Sequence, residues 1–82
     1  PETEERPAAL RAAAEVFDTW QDLLAASLRE HGAEREEAAR LATLVVAAVE
    51  GAVAMCRAKR STEPLDRTAE QLEALVIAAV RG

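Results

Sequence analysis

Apolar residues recur at steps of three and four along most of this chain, the spacing of one face of an α-helix. The first run is Leu10, Ala13, Phe17, Trp20, Leu24, Ser27 and His31. Val16, Leu23 and Leu28 widen it to an arc of about 160° at 100° per residue. Arg11, Glu15, Asp18, Asp22, Arg29 and Glu30 fall on the opposite side. Pro7 suits the first helical position, where a missing N–H costs no bond, and Gly32 suits a left-handed cap at the far end. The pattern predicts a one-sided amphipathic helix over about residues 8–31.

The next run is different in kind. From Glu34 to about Ala58 the apolar positions are Leu41, Ala42, Leu44, Val45, Val46, Ala48, Val49, Ala52, Val53, Met55 and Cys56. On a helical wheel they cover about 220°, beyond what a surface helix needs, so a helix over 34–58 must pack on two sides. Glu34, Glu36 and Glu37 stand where a helix dipole favours negative charge. After a break at Ser61–Pro64, a third helix is predicted over about residues 65–81. Its Leu65, Ala69, Leu72, Leu75, Val76, Ala79 and Val80 lie within about 140°. The acidic stretch Pro1–Arg6 has no apolar anchor and reads as a linker or frayed end. For the second helix the chain supplies two neighbours, of which the first takes one side while part of the other remains uncovered. Its leftover apolar surface calls for a partner chain.

Composition sharpens this. With 82 residues, 50% hydrophobic and 30% charged, residues 1–82 read as a single folded unit. Only Phe17 and Trp20 supply rings, and a core of mostly Ala and Val is marginal alone. Self-association is the expected remedy. A net charge of −5 gives no excess of cations to hold nucleic-acid phosphates. The local cluster Arg57, Lys59 and Arg60 falls at a helix end and reads as compensation of the dipole. The longest uncharged stretch, Leu41–Val49, is too short to span a membrane. Cys56 is the sole cysteine, which excludes an intrachain disulfide and fits a reducing cytoplasm.

No catalytic constellation stands out. His31 and Cys56 have no metal-ligand companions at helical spacing, Ser27 has no base at useful spacing, and three glycines make no phosphate loop. No metal and no cofactor are expected, and the chain is not expected to be an enzyme. Two features rise above the background. Gly51 sits mid-helix, at a cost of up to about 1 kcal/mol relative to Ala, among Ala47, Ala48, Ala52 and Ala54. That favours a second helix axis crossing close by. Glu50, flanked by Val46, Val49 and Val53, reads as a solvated rim residue or as the polar group of a ligand cavity.

The run from Phe17 to Leu28, FDTWQDLLAASL, resembles a helix in the C-terminal domain of TetR-family regulators. The run from Ala38 to Ser61, AARLATLVVAAVEGAVAMCRAKRS, strengthens the likeness, particularly VEGAVAMCRAKRS. The stretch STEPLDRTAEQLEALV is similar to the segment leading into the last helix of the LmrA/YxaF-like branch. The resemblance covers about Ala8 to Val80. It implies an all-α, cytoplasmic bacterial repressor domain whose last two helices form a four-helix bundle across a homodimer two-fold. It also implies a small, usually apolar effector held partly by the first two helices. Operator DNA would be bound by an N-terminal helix-turn-helix, which does not lie within these residues.

From these readings the expected dimer interface is Leu41, Leu44, Ala48, Gly51, Ala52 and Met55 with Leu72, Leu75, Val76 and Ala79. The expected ligand-binding residues are Phe17, Trp20 and Leu24 with Val46, Glu50 and Val53. Two other readings compete. A purely structural helical homodimerisation module would use the same interface without a ligand. A small helical enzyme of the chorismate-mutase type would need inward-facing cations for its anionic substrate, and none is evident.

Overall fold

The computed structural model describes residues 7–81, so the expected linker Pro1–Arg6 and the terminal Gly82 lie outside the described residues. Three helices follow in order: α1 (Ala8–Glu30), α2 (Arg35–Lys59) and α3 (Glu63–Arg81). No strand occurs among the described residues. The fold is all-helical.

The ends of the helices follow from local chemistry. Pro7 stands just outside α1 at φ −54° and ψ 147°, one position earlier than expected. At the other end His31 is the capping residue and Gly32 takes φ 112°. The Gly32 N–H donates to the Arg29 carbonyl at 3.1 Å and the Ala33 N–H to the Leu28 carbonyl at 2.9 Å. This is a Schellman closure, with the apolar contact between its ends supplied by Leu28 and Ala33, both buried. His31 Nδ1 donates to the Ser27 carbonyl at 2.8 Å, so its ring is part of the helix end.

Glu34 caps α2, its carboxylate accepting from the Glu37 N–H at 3.1 Å. Backbone N–H groups of Glu36 and Glu37 hold the Glu34 carboxyl below the usual glutamate range. Arg60 ends α2 in the left-handed conformation without glycine, at φ 55° and ψ 48°. The N–H groups of Arg60 and Ser61 both donate to the Cys56 carbonyl. Ser61 Oγ then accepts from the Glu63 N–H at 3.0 Å, and this cap lets α3 begin two residues before the expected Leu65.

α2 lies between α1 and α3, which touch each other little. The molecule measures 48 × 34 × 14 Å. An α-helix with side chains is about 10–12 Å across, so this is one layer of helices. Its buried core comprises Ala25, Leu28, Ala33, Ala38, Leu41, Ala42, Ala52 and Ala79, six of the eight being alanines. All but Ala52 form one cluster, where the end of α1, the start of α2 and the end of α3 converge. There the Gly32 backbone approaches α3 so closely that a Cβ would stand 2.8 Å from the Val80 carbonyl oxygen.

Stable domains pack two layers around a core. A single layer leaves large apolar side chains in water, here Leu10, Val16, Trp20, Leu23, Leu44, Met55, Leu75 and Ile77. α2 also contains an 18-residue window of mean hydropathy 1.7, long and apolar enough to cross a membrane by length and composition. The uncharged run Leu41–Val49 does not reveal this, because the window tolerates interruptions by charge. Little of that window is buried, although α2 is the central helix of this layer.

Candidate functional site

Two surfaces of this layer gather the residues singled out by the sequence. The first is a groove of about 300 Å³ between α1 and α2, lined by Phe17, Gln21, Thr43, Val46, Ala47 and Glu50. Phe17 and Gln21 are one turn apart, as are Thr43 and Ala47, and Val46 and Glu50, so each helix presents one face to it. Gln21 Nε2 donates to Thr43 Oγ1 at 2.9 Å across the two helices. Thr43 Oγ1 in turn donates to the Ala39 carbonyl at 3.2 Å. Trp20 meets the Phe17 ring edge-on from outside, with centroids 6.1 Å apart and an interplanar angle of 77°.

Of the expected ligand residues, Phe17, Val46 and Glu50 come together here. Trp20 is 50% exposed and reaches the groove only through Phe17. Leu24 instead lines a second, apolar cleft of about 590 Å³, with Val45 and Val49 of α2, Leu72, Val76 and Ile77 of α3, and Glu70 and Glu73 at its margin. Val53 is half-buried and lines neither. Sequence reasoning missed Gln21 and Thr43. Their signal was positional: Gln21 follows Phe17 by one turn, and Thr43 precedes Ala47 by one turn.

The second surface is the open face of α2. The expected interface residues divide by depth. Leu41, Ala52 and Ala79 are buried within the chain. Ala48, Leu72 and Val76 are half-buried, the latter two facing the second cleft. Leu44, Gly51, Met55 and Leu75 are exposed. Leu44 and Leu75 share a shallow groove with Leu41, Glu37 and Arg40. Among the described residues a Cβ built on Gly51 meets nothing within 4 Å, so neither α1 nor α3 crosses there. Ala47 follows Leu44 by three residues and precedes Gly51 by four, so the α1–α2 groove borders this face.

With this geometry in place, the comparisons are specific. The family described as transcriptional regulator LmrA/YxaF-like, C-terminal domain, matches residues 1–71. The chain belongs to this TetR-type family. An uncharacterized HTH-type transcriptional regulator of Mycobacterium tuberculosis, Rv0196, is 40% identical over 72 residues, covering 88% of this chain and 37% of the relative. The HTH-type transcriptional regulator YxaF of Bacillus subtilis is 36% identical over 61 residues, covering 74% of this chain and 32% of the relative. The chain thus spans about a third of the length of these relatives. No solved structure gives a significant match.

As a member of the LmrA/YxaF-like group, the chain is a C-terminal regulatory domain of a transcriptional regulator, a class without catalysis as its usual task. No group of three or more His, Cys, Asp or Glu side chains converges as a metal site among the described residues.

Proposed function

We propose that this chain is the dimerisation and effector-sensing part of a cytoplasmic TetR-type repressor. Two copies associate through the open face of α2 and the adjoining face of α3, with Leu44, Gly51, Met55 and Leu75 at the contact. The last two helices of each copy then form a four-helix bundle about the two-fold. Leu41, Ala52 and Ala79 support that face from beneath.

The observation that carries this reading is Gly51. It costs helix stability, yet nothing among the described residues occupies the space its missing side chain leaves open. A two-fold crossing brings the same patch of both copies together, and small residues such as Gly51 and Ala47 let the axes approach. The exposed Leu44, Met55 and Leu75 around it would otherwise stay in water. A second copy also supplies the layer that a 14 Å slab lacks.

The groove at Phe17, Val46 and Glu50 is the effector site in this reading. It is apolar on its floor, polar at its edge, and bordered by the dimer face. Operator DNA is reached only through a helix-turn-helix part, as in relatives that are HTH-type transcriptional regulators. Leu75→Asp tests the dimer. The chain is expected to sediment as a dimer and the variant as a helical monomer, since a carboxylate would be buried without a partner. A dimer that survives Leu75→Asp unchanged places the interface elsewhere.

A further inference from the structure

The hydrogen bonds across the α1–α2 groove orient its polar groups. Thr43 has one hydroxyl proton, and it goes to the Ala39 carbonyl. Towards Gln21 the same oxygen therefore only accepts, which requires the Gln21 amide to donate through Nε2. The Gln21 carbonyl oxygen and the second Nε2 proton are left available to a ligand. The other polar lining group, Glu50, has no ion-pair partner among the described residues and offers oxygens. Phe17, Val46 and Ala47 supply apolar wall, and no Lys, Arg or His lines the groove.

Asp18 and Asp22 lie on the opposite side of α1, and Arg40 stands about one turn before Thr43 without lining the groove. Arg57 lies on the face of Glu50 but two turns on, about 10 Å along the axis, where salt screens most of its effect. A groove with a carboxylate edge, an aromatic wall and no lining cation among the described residues disfavours anions. It offers a hydrogen-bonding cation both charge and direction.

We propose that the groove binds a small aromatic or branched aliphatic ammonium ion, its N–H donors directed to Gln21 Oε1 and the Glu50 carboxylate and its apolar body against Phe17 and Val46. This rests on the reading of the groove as the effector site. The Glu50 carboxylate disfavours carboxylate and phosphate ligands of the same size.

The test is titration of the full chain with three probes of one shape: 4-tert-butylbenzylammonium, its N,N,N-trimethyl counterpart and 4-tert-butylbenzoate. Trp20, the sole tryptophan, reports through its contact with Phe17. The primary ammonium is expected to bind about tenfold more tightly than the benzoate. The trimethyl probe keeps the charge but lacks donors, and should fall between them. Glu50→Gln should erase most of the preference while leaving far-UV circular dichroism unchanged. Equal affinity for the ammonium and the benzoate, or a preference that survives Glu50→Gln, overturns the ligand class and leaves the site standing. Ala47→Phe fills the groove. Binding that persists in Ala47→Phe, or no saturable change at Trp20 with any probe, overturns the site itself.

Discussion

Gly32 and Gly51 are the same residue used for opposite reasons, and the contrast divides the molecule. At Gly32 the backbone takes φ 112° and lies against the Val80 carbonyl, where a Cβ would stand 2.8 Å away. The chain itself demands glycine there, to close α1 against α3 beside Leu28, Ala33 and Ala79. At Gly51 the backbone is helical and open space surrounds the missing side chain. Nothing in the chain demands glycine there. One end of the layer is finished by its own residues, while the middle of α2 is shaped for something outside them.

Substitutions at the two ends should therefore fail differently. Gly32→Ala is expected to have the largest effect on folding. It forces a side chain into a positive-φ position and pushes the Val80 backbone away, at about 2–4 kcal/mol together. Urea unfolding followed by circular dichroism measures it, and an unchanged midpoint would mean that the closed end is looser than described. Leu75→Ala removes apolar surface from the proposed contact in both copies and should weaken association by about 1–2 kcal/mol. Its mark is a concentration-dependent unfolding midpoint shifted to higher concentration, with little change in the helicity of the dilute chain.

Gly51→Ala should do the reverse of Gly32→Ala in a dilute, dissociated chain. It raises helix stability by up to about 1 kcal/mol, seen as a higher thermal midpoint. A loss instead would mean that the chain itself needs glycine at Gly51. The smallest effect belongs to the Glu34 cap. Its carboxyl is held below the usual range by backbone N–H groups of Glu36 and Glu37, so the folded form binds its proton less readily than the unfolded one. The stabilisation is full above the ordinary glutamate range and is lost as pH falls through the lowered folded value. Comparing acid unfolding of the parent with Glu34→Ala isolates it. A variant that loses stability equally at neutral and strongly acidic pH would rule this cap out as the source.

The three helices were legible because period and punctuation agree. Phe17, Leu24 and Leu28 mark one stripe, and Gly32 and Pro64 mark breaks beside it. The apolar breadth of α2 announced packing on two sides, which α1 and α3 supply in part, leaving Leu44 and Met55 exposed. A helical wheel gives directions but not neighbours, so it could not say which apolar residues those two helices would cover. Leu41 and Leu44 differ by three positions, yet one is 8% exposed and the other 46%. Phe17 and Trp20 differ likewise, separated by about 60° on the wheel, enough to put one ring in the groove and the other outside it. The Gln21–Thr43 bond joins residues 22 positions apart on different helices. Its existence depends on the offset between α1 and α2, which no local pattern encodes.

Sedimentation equilibrium of the chain beside Gly51→Leu tests the central claim most directly. The parent is expected to be a dimer. The leucine is tolerated by an isolated helix with open space at that position, but overpacks a helix crossing by about 1–3 kcal/mol. The variant should therefore move to monomer with its helicity intact. A Gly51→Leu chain as dimeric as its parent, or a parent that is monomeric throughout, would contradict the account.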